Sequence, residues 1–207
     1  GGFGRVTIPT NLGDHPPVAP SAIPHRWLVK TCRPLKKEEI HEIISQFGNG
    51  AYNGKRAGFD GVQIHAVHEG YLIDQFAISL FNQRTDEYGG SLENRLRFAK
   101  EILEEIKSKC GSDYPVTLRF SVKSFIKDWR VGGLPGEKFE EKGRDVEEGI
   151  EAAKLLVKYG YDALDVDVGC YDAWWWNHPP MYFEDGMYRE FGRLVKQNVD
   201  VPVILAG

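Results

Sequence analysis

The sequence predicts an α/β fold, a fragment of a (β/α)8 TIM barrel with about four consecutive strand–helix units. Three observations lead to this prediction. Amphipathic helical segments alternate with short β-prone runs, those runs are rich in Val, Ile and Leu, and polar residues recur where the runs end. The composition agrees, because 42% of the 207 residues are hydrophobic and 27% are charged, as in ordinary globular proteins.

The first half of the chain contains two helix–strand units. Residues 37–57 carry apolar side chains at helical spacing and are followed by Gly58, a natural stop, so they predict a helix. Gly61–His65 is a short β-prone run and predicts the first strand. A second helix is expected over residues 91–109, beginning at a capping serine, and Val116–Phe120 predicts the second strand.

The second half of the chain repeats this order. A long loop leads to a third helix, in which Asp145 and Glu148 have the spacing of a capping box and Gly160 is a natural end. The next elements are, in turn, a strand, a helix and a strand: Ala163–Val168, about Met187–Gln197, and Val201–Ala206. Helices that alternate with strands predict a parallel sheet with right-handed crossovers.

Two architectures share this order, an open doubly wound sheet and a barrel. No G-x-G-x-x-G motif follows a predicted strand, which disfavours a dinucleotide-binding open sheet. Polar groups such as His65, Arg119 and residues 167–170 end the strands, as a barrel enzyme requires. Because four parallel strands leave two open edges, we expect residues 1–207 to be a partial barrel domain, truncated at both ends, of a longer protein.

Charge and cysteine usage narrow the class of function. The formal net charge of −4, with interspersed signs, argues against nucleic-acid binding and favours a small-molecule substrate. Cys32, Cys110 and Cys170 lie far apart and form no C-x-x-C pair, so free thiols in a reducing, cytoplasmic compartment are expected. No apolar run of membrane length occurs in the sequence, and no membrane partner is expected.

Two imidazoles and a phenol cluster where the first predicted strand ends. His65 and His68 are followed by Tyr71, so they can hold a carbonyl oxygen while the phenol delivers a proton. Alternatively, the two histidines begin a zinc or iron site with a carboxylate such as Asp167. In a third interpretation, His65 is a satisfied core histidine and His68 a solvated loop residue. Spacing alone leaves all three open.

Two segments, Gly58–Phe76 and Asn82–Arg95, closely resemble the Old Yellow Enzyme family of FMN-dependent ene-reductases. Within that family, Asp165–Tyr182 looks most like the clostridial 2-enoate reductases and their relatives that convert bile acids. The resemblance extends over Gly2–Gly207 and implies an FMN-binding TIM barrel.

The resemblance implies a role for each residue of the cluster. His65 and His68 match the histidines that hold the substrate carbonyl, and Tyr71 matches the tyrosine that protonates the α-carbon. His178 matches a histidine that assists this tyrosine in one branch of the family. In most relatives the tyrosine follows the second histidine by two residues, whereas Glu69 adds one residue here, as in the 2-enoate reductase branch.

The resemblance also implies the cofactors. Arg119 matches the arginine beside the N1/O2 edge of FMN, where positive charge stabilises the reduced flavin, and Gly207 would open the loop that binds the FMN phosphate. NADH is the implied electron source, and an iron–sulfur cluster and FAD/NAD(H) domains would lie beyond residue 207. The implied partner is a small enoate or enone, and the family resemblance is compatible with a homo-oligomer.

Three alternative functions stay open. Within the family, the Trp-rich loop would seat the rings of a bile acid in a 3-oxo-Δ4 steroid oxidoreductase. Outside the family, a metal-dependent TIM-barrel hydrolase or aldolase would use His65 and His68 as ligands. A barrel that serves only as an interaction module would bind neither metal nor flavin.

Three further groups of residues have predominantly structural interpretations. The charged residues of the loop before the second helix are expected to form ion pairs: Arg84, Asp86 and Arg95. Asp165 and Asp167 alternate along a strand and are expected to form hydrogen bonds inside the barrel. The consecutive indoles of residues 174–176 cannot all point inward. Together with Tyr182 they are expected either to line an apolar pocket or to pack the loop against the end of the barrel.

Overall fold

The structure is a computed structural model that describes residues 4–68 and 70–206. Its helices, in chain order, are α1 (Lys37–Arg56), α2 (Leu72–Ala77), α3 (Leu92–Cys110), α4 (Val146–Tyr159), α5 (Trp174–Asn177) and α6 (Arg189–Lys196). Its strands are β1 (Val18–Ala19), β2 (Arg33–Pro34), β3 (Val62–Val67), β4 (Val116–Ser121), β5 (Ile126–Asp128), β6 (Val131–Gly132), β7 (Ala163–Asp167) and β8 (Val203–Leu205). Short 3-10 turns occur at Gly4–Val6, Pro9–Asn11 and Tyr171–Ala173.

Four strands form one parallel sheet in the order β3-β4-β7-β8. One row across the sheet contains His65, Arg119, Asp165 and Ile204, each paired with the next. Every strand lies beside the preceding strand of the sheet, whereas the strand order of a doubly wound sheet reverses at its switch point. The sheet therefore has the order of consecutive barrel strands, and the predicted strand–helix units are confirmed.

The long helices form a layer outside the sheet, with α1 packed on α3, α3 on α4 and α4 on α6. Buried side chains of the sheet, such as Ile64, Leu118 and Val166, belong to the same apolar core as these helices. Alternate residues of the strands, including His65 and Arg119, remain partly exposed on the opposite face. Among the described residues, no helix has both the length and the apolar character needed to cross a membrane.

The predicted helix ends are largely confirmed. The hydroxyl of Ser91 accepts a hydrogen bond from the backbone N–H of Asn94, and Gly160 ends α4 with φ of 111°. The carboxylate of Asp145 accepts from the Glu148 N–H at 2.8 Å, which is half of the predicted capping box. The other half is wrong, because the Glu148 carboxylate pairs with the Arg95 guanidinium at 2.6 Å instead.

Element boundaries differ from the predictions by a few residues. Strand β3 continues to Val67 instead of ending at His65, and α6 begins at Arg189 instead of Met187. Strand β8 is limited to Val203–Leu205. Such shifts are typical of element ends, where apolar periodicity is weakest.

Helix α2 and the β5–β6 hairpin were not predicted. All six residues of α2 are buried, including Asp74 and Gln75, so the segment has no solvent-exposed polar face that would produce a helical period. The hairpin turns at Arg130, which has φ of 62° without being glycine, and a common turn signal is therefore missing. These two short elements border the candidate site described next.

Candidate active site at the carboxyl edge of the sheet

The end of β3 and the start of α2 bring the predicted cluster together. The ring centroid of His65 lies 4.7 Å from that of His68 and 4.7 Å from that of Tyr71. His65 is exposed, Tyr71 is half-buried, and His68 is only 1% exposed. The predicted convergence of two imidazoles and a phenol is therefore confirmed, and His68 is a buried residue and not a solvated one.

Asp167, at the end of β7, connects two of the predicted site residues. One of its carboxylate oxygens lies 3.2 Å from His68 Nδ1 and accepts a hydrogen bond from Arg119 Nη2 at 2.8 Å. Its other oxygen accepts from the backbone N–H of Val168 at 2.7 Å. A carboxylate fixed in this way orients both the imidazole and the guanidinium.

Arg119 lies between two carboxylates on the partly exposed face of the sheet. Its Nε is 3.9 Å from Asp165, and Asp165 also accepts a hydrogen bond from the side-chain amide of Gln63 at 2.8 Å. The expected hydrogen-bonding role of Asp165 and Asp167 is confirmed. The Arg119 side chain is nevertheless 35% exposed, so part of the cation faces the open side of the sheet.

A buried ion pair holds the turn that precedes Tyr71. The Asp74 carboxylate accepts a hydrogen bond from the backbone N–H of Gly70 at 3.0 Å and from Arg144 Nη2 at 2.7 Å. Both side chains of the pair are 0% exposed, and Arg144 also donates to the Ser121 carbonyl at 2.7 Å. This pair was not predicted from the sequence, in which the one local signal is a lone aspartate within the apolar start of α2.

A second tyrosine, Tyr171, lies beside the cluster and was also missed. Its hydroxyl oxygen is 3.2 Å from that of Tyr71, and the two ring centroids are 5.5 Å apart. Trp27 contacts the ring of Tyr171 edge-on, with centroids 6.2 Å apart, and Trp174 lies at 5.1 Å. The aromatic wall of the site thus includes residues from three separate parts of the chain.

The indoles of the Trp-rich loop differ in exposure, as expected. Trp176 is buried, Trp174 is exposed, and the indole N–H groups of Trp175 and Trp176 both donate to the Gly133 carbonyl at 2.8 Å. His178 is exposed and stacks on Trp174 with centroids 4.1 Å apart. Its predicted assistance to the proton donor stays a prediction.

A buried carboxylate fixes the segment that carries Tyr171. Asp172 pairs with Arg5 at 3.2 Å and with Arg26 at 2.9 Å. The neighbouring thiol of Cys170 is also buried; burial and the nearby carboxylates of Asp172 and Asp74 raise its pKa well above the usual range. This thiol is therefore protonated at neutral pH and is not suited to act as a nucleophile or metal ligand.

The loop before α3, the possible metal ligands and two residues of the predicted site complete the comparison with the sequence. The ion pairs expected for the loop before α3 are confirmed, since Arg84 contacts Asp86 at 2.6 Å and Arg95 contacts Glu148. Within residues 4–68 and 70–206, no group of three or more His, Cys, Asp or Glu side chains is arranged to hold a metal ion. Gly207 and Glu69 lie outside the described residues.

Comparison with known proteins gives a family and several relatives. The model of the NADH:flavin oxidoreductase / NADH oxidase family matches residues 10–207. The chain is 65% identical over 207 residues to a cinnamate reductase of Clostridium sporogenes, covering 100% of this chain and 31% of that protein. It is 39% identical over 204 residues to an NADH oxidase of Thermoanaerobacter brockii, covering 99% and 29%. The chain thus spans about a third of the length of these relatives.

Two solved structures share the fold. The structure of histamine dehydrogenase from Rhizobium sp. 4-9 superposes with a TM-score of 0.81 at 31% identity, covering 99% of this chain and 28% of that chain. An old yellow enzyme homologue from Zymomonas mobilis superposes with a TM-score of 0.69 at 26% identity, covering 99% and 54%.

Proposed function

Because the chain belongs to the NADH:flavin oxidoreductase / NADH oxidase family, that of the Old Yellow Enzymes, we propose that it forms the catalytic part of an FMN-dependent ene-reductase. The reaction reduces the C=C bond of a 2-enoate such as cinnamate, with NADH as the electron source. The observation that carries this proposal is the meeting of His65, His68 and Tyr71 beside Arg119 at one edge of the sheet.

His65 and His68 hold the carboxylate or carbonyl of the substrate. The exposed ring of His65 is accessible from the open side of the sheet, and the Asp167 carboxylate orients the ring of His68. Hydrogen bonds from the imidazoles draw electron density from the conjugated system, which makes the β-carbon a better hydride acceptor. The role of the two histidines is thus to bind and to polarise.

Tyr71 delivers the proton. Its ring lies 4.7 Å from that of His65, so the phenol is near the carboxyl group of a substrate held by His65 and near the α-carbon one bond away. The hydroxyl group is a donor of suitable chemistry, because a general acid must release a proton as charge develops on the carbon.

The guanidinium of Arg119, on the partly exposed face of the sheet, fits the binding of an FMN ring. Bound FMN supplies the hydride for the β-carbon. The partly exposed guanidinium of Arg119 provides positive charge for the electron-rich pyrimidine edge, and Asp167 keeps that group in place. Gly207 is proposed to begin the phosphate-binding loop, while FAD, an iron–sulfur cluster and an NAD(H) site belong to the proposal for the longer protein.

Two observations favour this function over its rivals. The 65% identity to a cinnamate reductase favours an aryl enoate over a 3-oxo-Δ4 steroid. For the metal-dependent rival, the carboxylate nearest to His68 is that of Asp167, and it is already bound to the Arg119 guanidinium. A cation in that position opposes the binding of a divalent metal.

The test is spectroscopic. The intact protein is purified anaerobically, and we expect flavin absorbance that bleaches with NADH and returns when cinnamate is added. The saturated analogue 3-phenylpropionate is the matched control, because it offers the same carboxylate without a double bond and leaves the flavin reduced. A colourless protein that contains stoichiometric zinc would overturn the proposal, and faster reoxidation by a steroid enone than by cinnamate would reassign the substrate.

A further inference from the structure

The contact between Tyr71 and Tyr171 has no role in the function proposed above. The two hydroxyl oxygens are 3.2 Å apart, and the residues are separated by 100 positions in the sequence. At this distance one hydroxyl donates a hydrogen bond to the other. If Tyr171 is the donor, the Tyr71 proton can point toward the substrate.

Buried charges hold the backbone of Tyr171 in place. Its carbonyl accepts a hydrogen bond from Arg26 Nη2 at 3.2 Å. The adjacent Asp172 carboxylate binds Arg5, Arg26 and the backbone N–H of Arg130, the last at 3.1 Å. Because these contacts fix the Tyr171 carbonyl and the adjacent Asp172, the approach of the Tyr171 hydroxyl to Tyr71 is determined by the fold.

The ring of Tyr171 also has access to solvent. It is half-buried between Trp27 and Trp174, which are 47% and 42% exposed. Tyr71 is half-buried as well, but it adjoins His65 and would be covered by a substrate bound there. Tyr171 is thus placed between the proton donor and water.

We propose that Tyr171 is a positioning residue that donates its hydroxyl hydrogen bond to Tyr71 and restores the Tyr71 proton after each turnover. This inference rests on the proposed function, in which Tyr71 protonates the substrate. It adds a second phenol to the site and a route by which the proton is replaced.

The steps balance in protons and electrons. Bound reduced FMN would supply the hydride for the β-carbon. The electron pair of the C=C bond then forms a new C–H bond at the α-carbon with the Tyr71 hydroxyl proton. The resulting Tyr71 phenolate takes the proton of Tyr171, and Tyr171 then takes a proton from water and leaves hydroxide. A phenol is a weak acid near neutral pH, and a hydrogen bond donated to its oxygen stabilises the charged form.

The first test compares the two half-reactions by stopped-flow absorbance in the flavin-loaded protein. We expect Tyr171→Phe to slow reoxidation by cinnamate about tenfold, the effect of one lost hydrogen bond to a charged group, and to leave flavin reduction by NADH unchanged. The alkaline limb of the reoxidation rate should move to higher pH. In a Tyr71→Phe background, Tyr171→Phe should add no further loss.

The second test needs neither flavin nor turnover. With 3-fluorotyrosine at position 71, the fluorine NMR shift reports ionisation of that hydroxyl, and Tyr171→Phe should raise the pH midpoint by about one unit. Tyr52→Phe, an exposed tyrosine of α1, makes the same chemical change away from the site and should leave the midpoint unmoved. If Tyr171→Phe lowers protein yield, 3-fluorotyrosine at position 171 retains the hydroxyl and should keep reoxidation within about twofold of the parent.

The outcomes separate the two proposals. Absence of flavin, or failure of cinnamate to reoxidise it, contradicts the proposed function. An unmoved fluorine midpoint contradicts the role of Tyr171, and so does an equal loss of both half-reactions in Tyr171→Phe. Faster reoxidation in Tyr171→Phe would mean that Tyr71 donates to Tyr171, which also overturns the inference.

Discussion

The loops that follow β3 and β7 meet at the same edge of the sheet but are built differently. The end of β3 and the loop after it carry their functional groups, His65, His68 and Tyr71, within seven consecutive positions. The end of β7 and the loop after it contribute Asp167 and Tyr171, which act through contacts with His68 and Tyr71 of the first loop. Chemistry concentrated in a short segment is visible in the sequence, whereas support from a distant segment is not.

The two loops also differ in how buried charge holds them. One carboxylate and one guanidinium, Asp74 and Arg144, support the first loop with no exposure to solvent. The second loop depends on a single carboxylate, Asp172, shared by Arg5 and the partly exposed Arg26. Changes that remove one charge should therefore affect stability more in the first loop than in the second.

The largest expected effect comes from breaking the pair beneath the first loop. Arg144→Met leaves the Asp74 carboxylate buried without its cation, and we expect the free energy of unfolding to fall by about 3–5 kcal/mol. Denaturant unfolding followed by circular dichroism measures the change. Arg193→Met removes one partner of an exposed ion pair in α6 and should have no measurable effect. Equal stability of the two variants would show that the buried pair does not support the loop.

The second effect tests the chemistry of the first loop. Tyr71→Phe should slow reoxidation of the flavin by cinnamate about 100-fold, because the general acid is lost, while reduction by NADH continues at the parental rate. Stopped-flow absorbance at the flavin band measures both steps. Equal loss of the two steps would contradict a role in proton delivery.

The third effect concerns the anchor of the second loop. Asp172→Asn keeps a hydrogen-bond acceptor but removes the charge facing two guanidinium groups, and we expect unfolding to become easier by about 2 kcal/mol. The same variant should slow reoxidation in the manner of Tyr171→Phe, since it loosens that residue. Asp185→Asn, an exposed change in the same loop region, is the control. If Asp172→Asn impairs only flavin reduction, the anchor does not serve Tyr171.

The smallest expected effect comes from a surface ion pair at the start of α1, with which the two buried pairs can be compared. The Arg33 guanidinium and the Lys36 backbone N–H lower the pKa of Glu39 to about 2. A carboxyl group whose pKa is lowered by folding stabilises the protein above its usual pKa, and this contribution disappears as the pH falls toward 2. Because the pair is more than a third exposed at Arg33, Glu39→Gln should cost only about 0.5 kcal/mol at pH 7. Unfolding measured at pH 7 and near pH 2 should show this cost only at the higher pH.

The features that the sequence predicted depend on residues close together in the chain. Helical spacing, the capping serine at residue 91 and Gly160 depend on neighbours a few positions away, so they were found. Glu148 was expected to return to its own helix start but pairs with Arg95, 53 positions distant. Helix α2 was not predicted because all of its residues are buried, so the segment shows no alternation of buried and exposed positions.

The sequence by itself determined the alternation of helices and strands and the cluster of His65, His68 and Tyr71, because both follow from short-range spacing. Only the tertiary structure decided that Asp167 joins His68 to Arg119 and that Tyr171 reaches Tyr71. Those contacts depend on strand register and on the direction of side chains at the carboxyl edge of the sheet. A buried polar group must form a hydrogen bond, and its partner is the group that packing brings near. The fold therefore determines which partner it has.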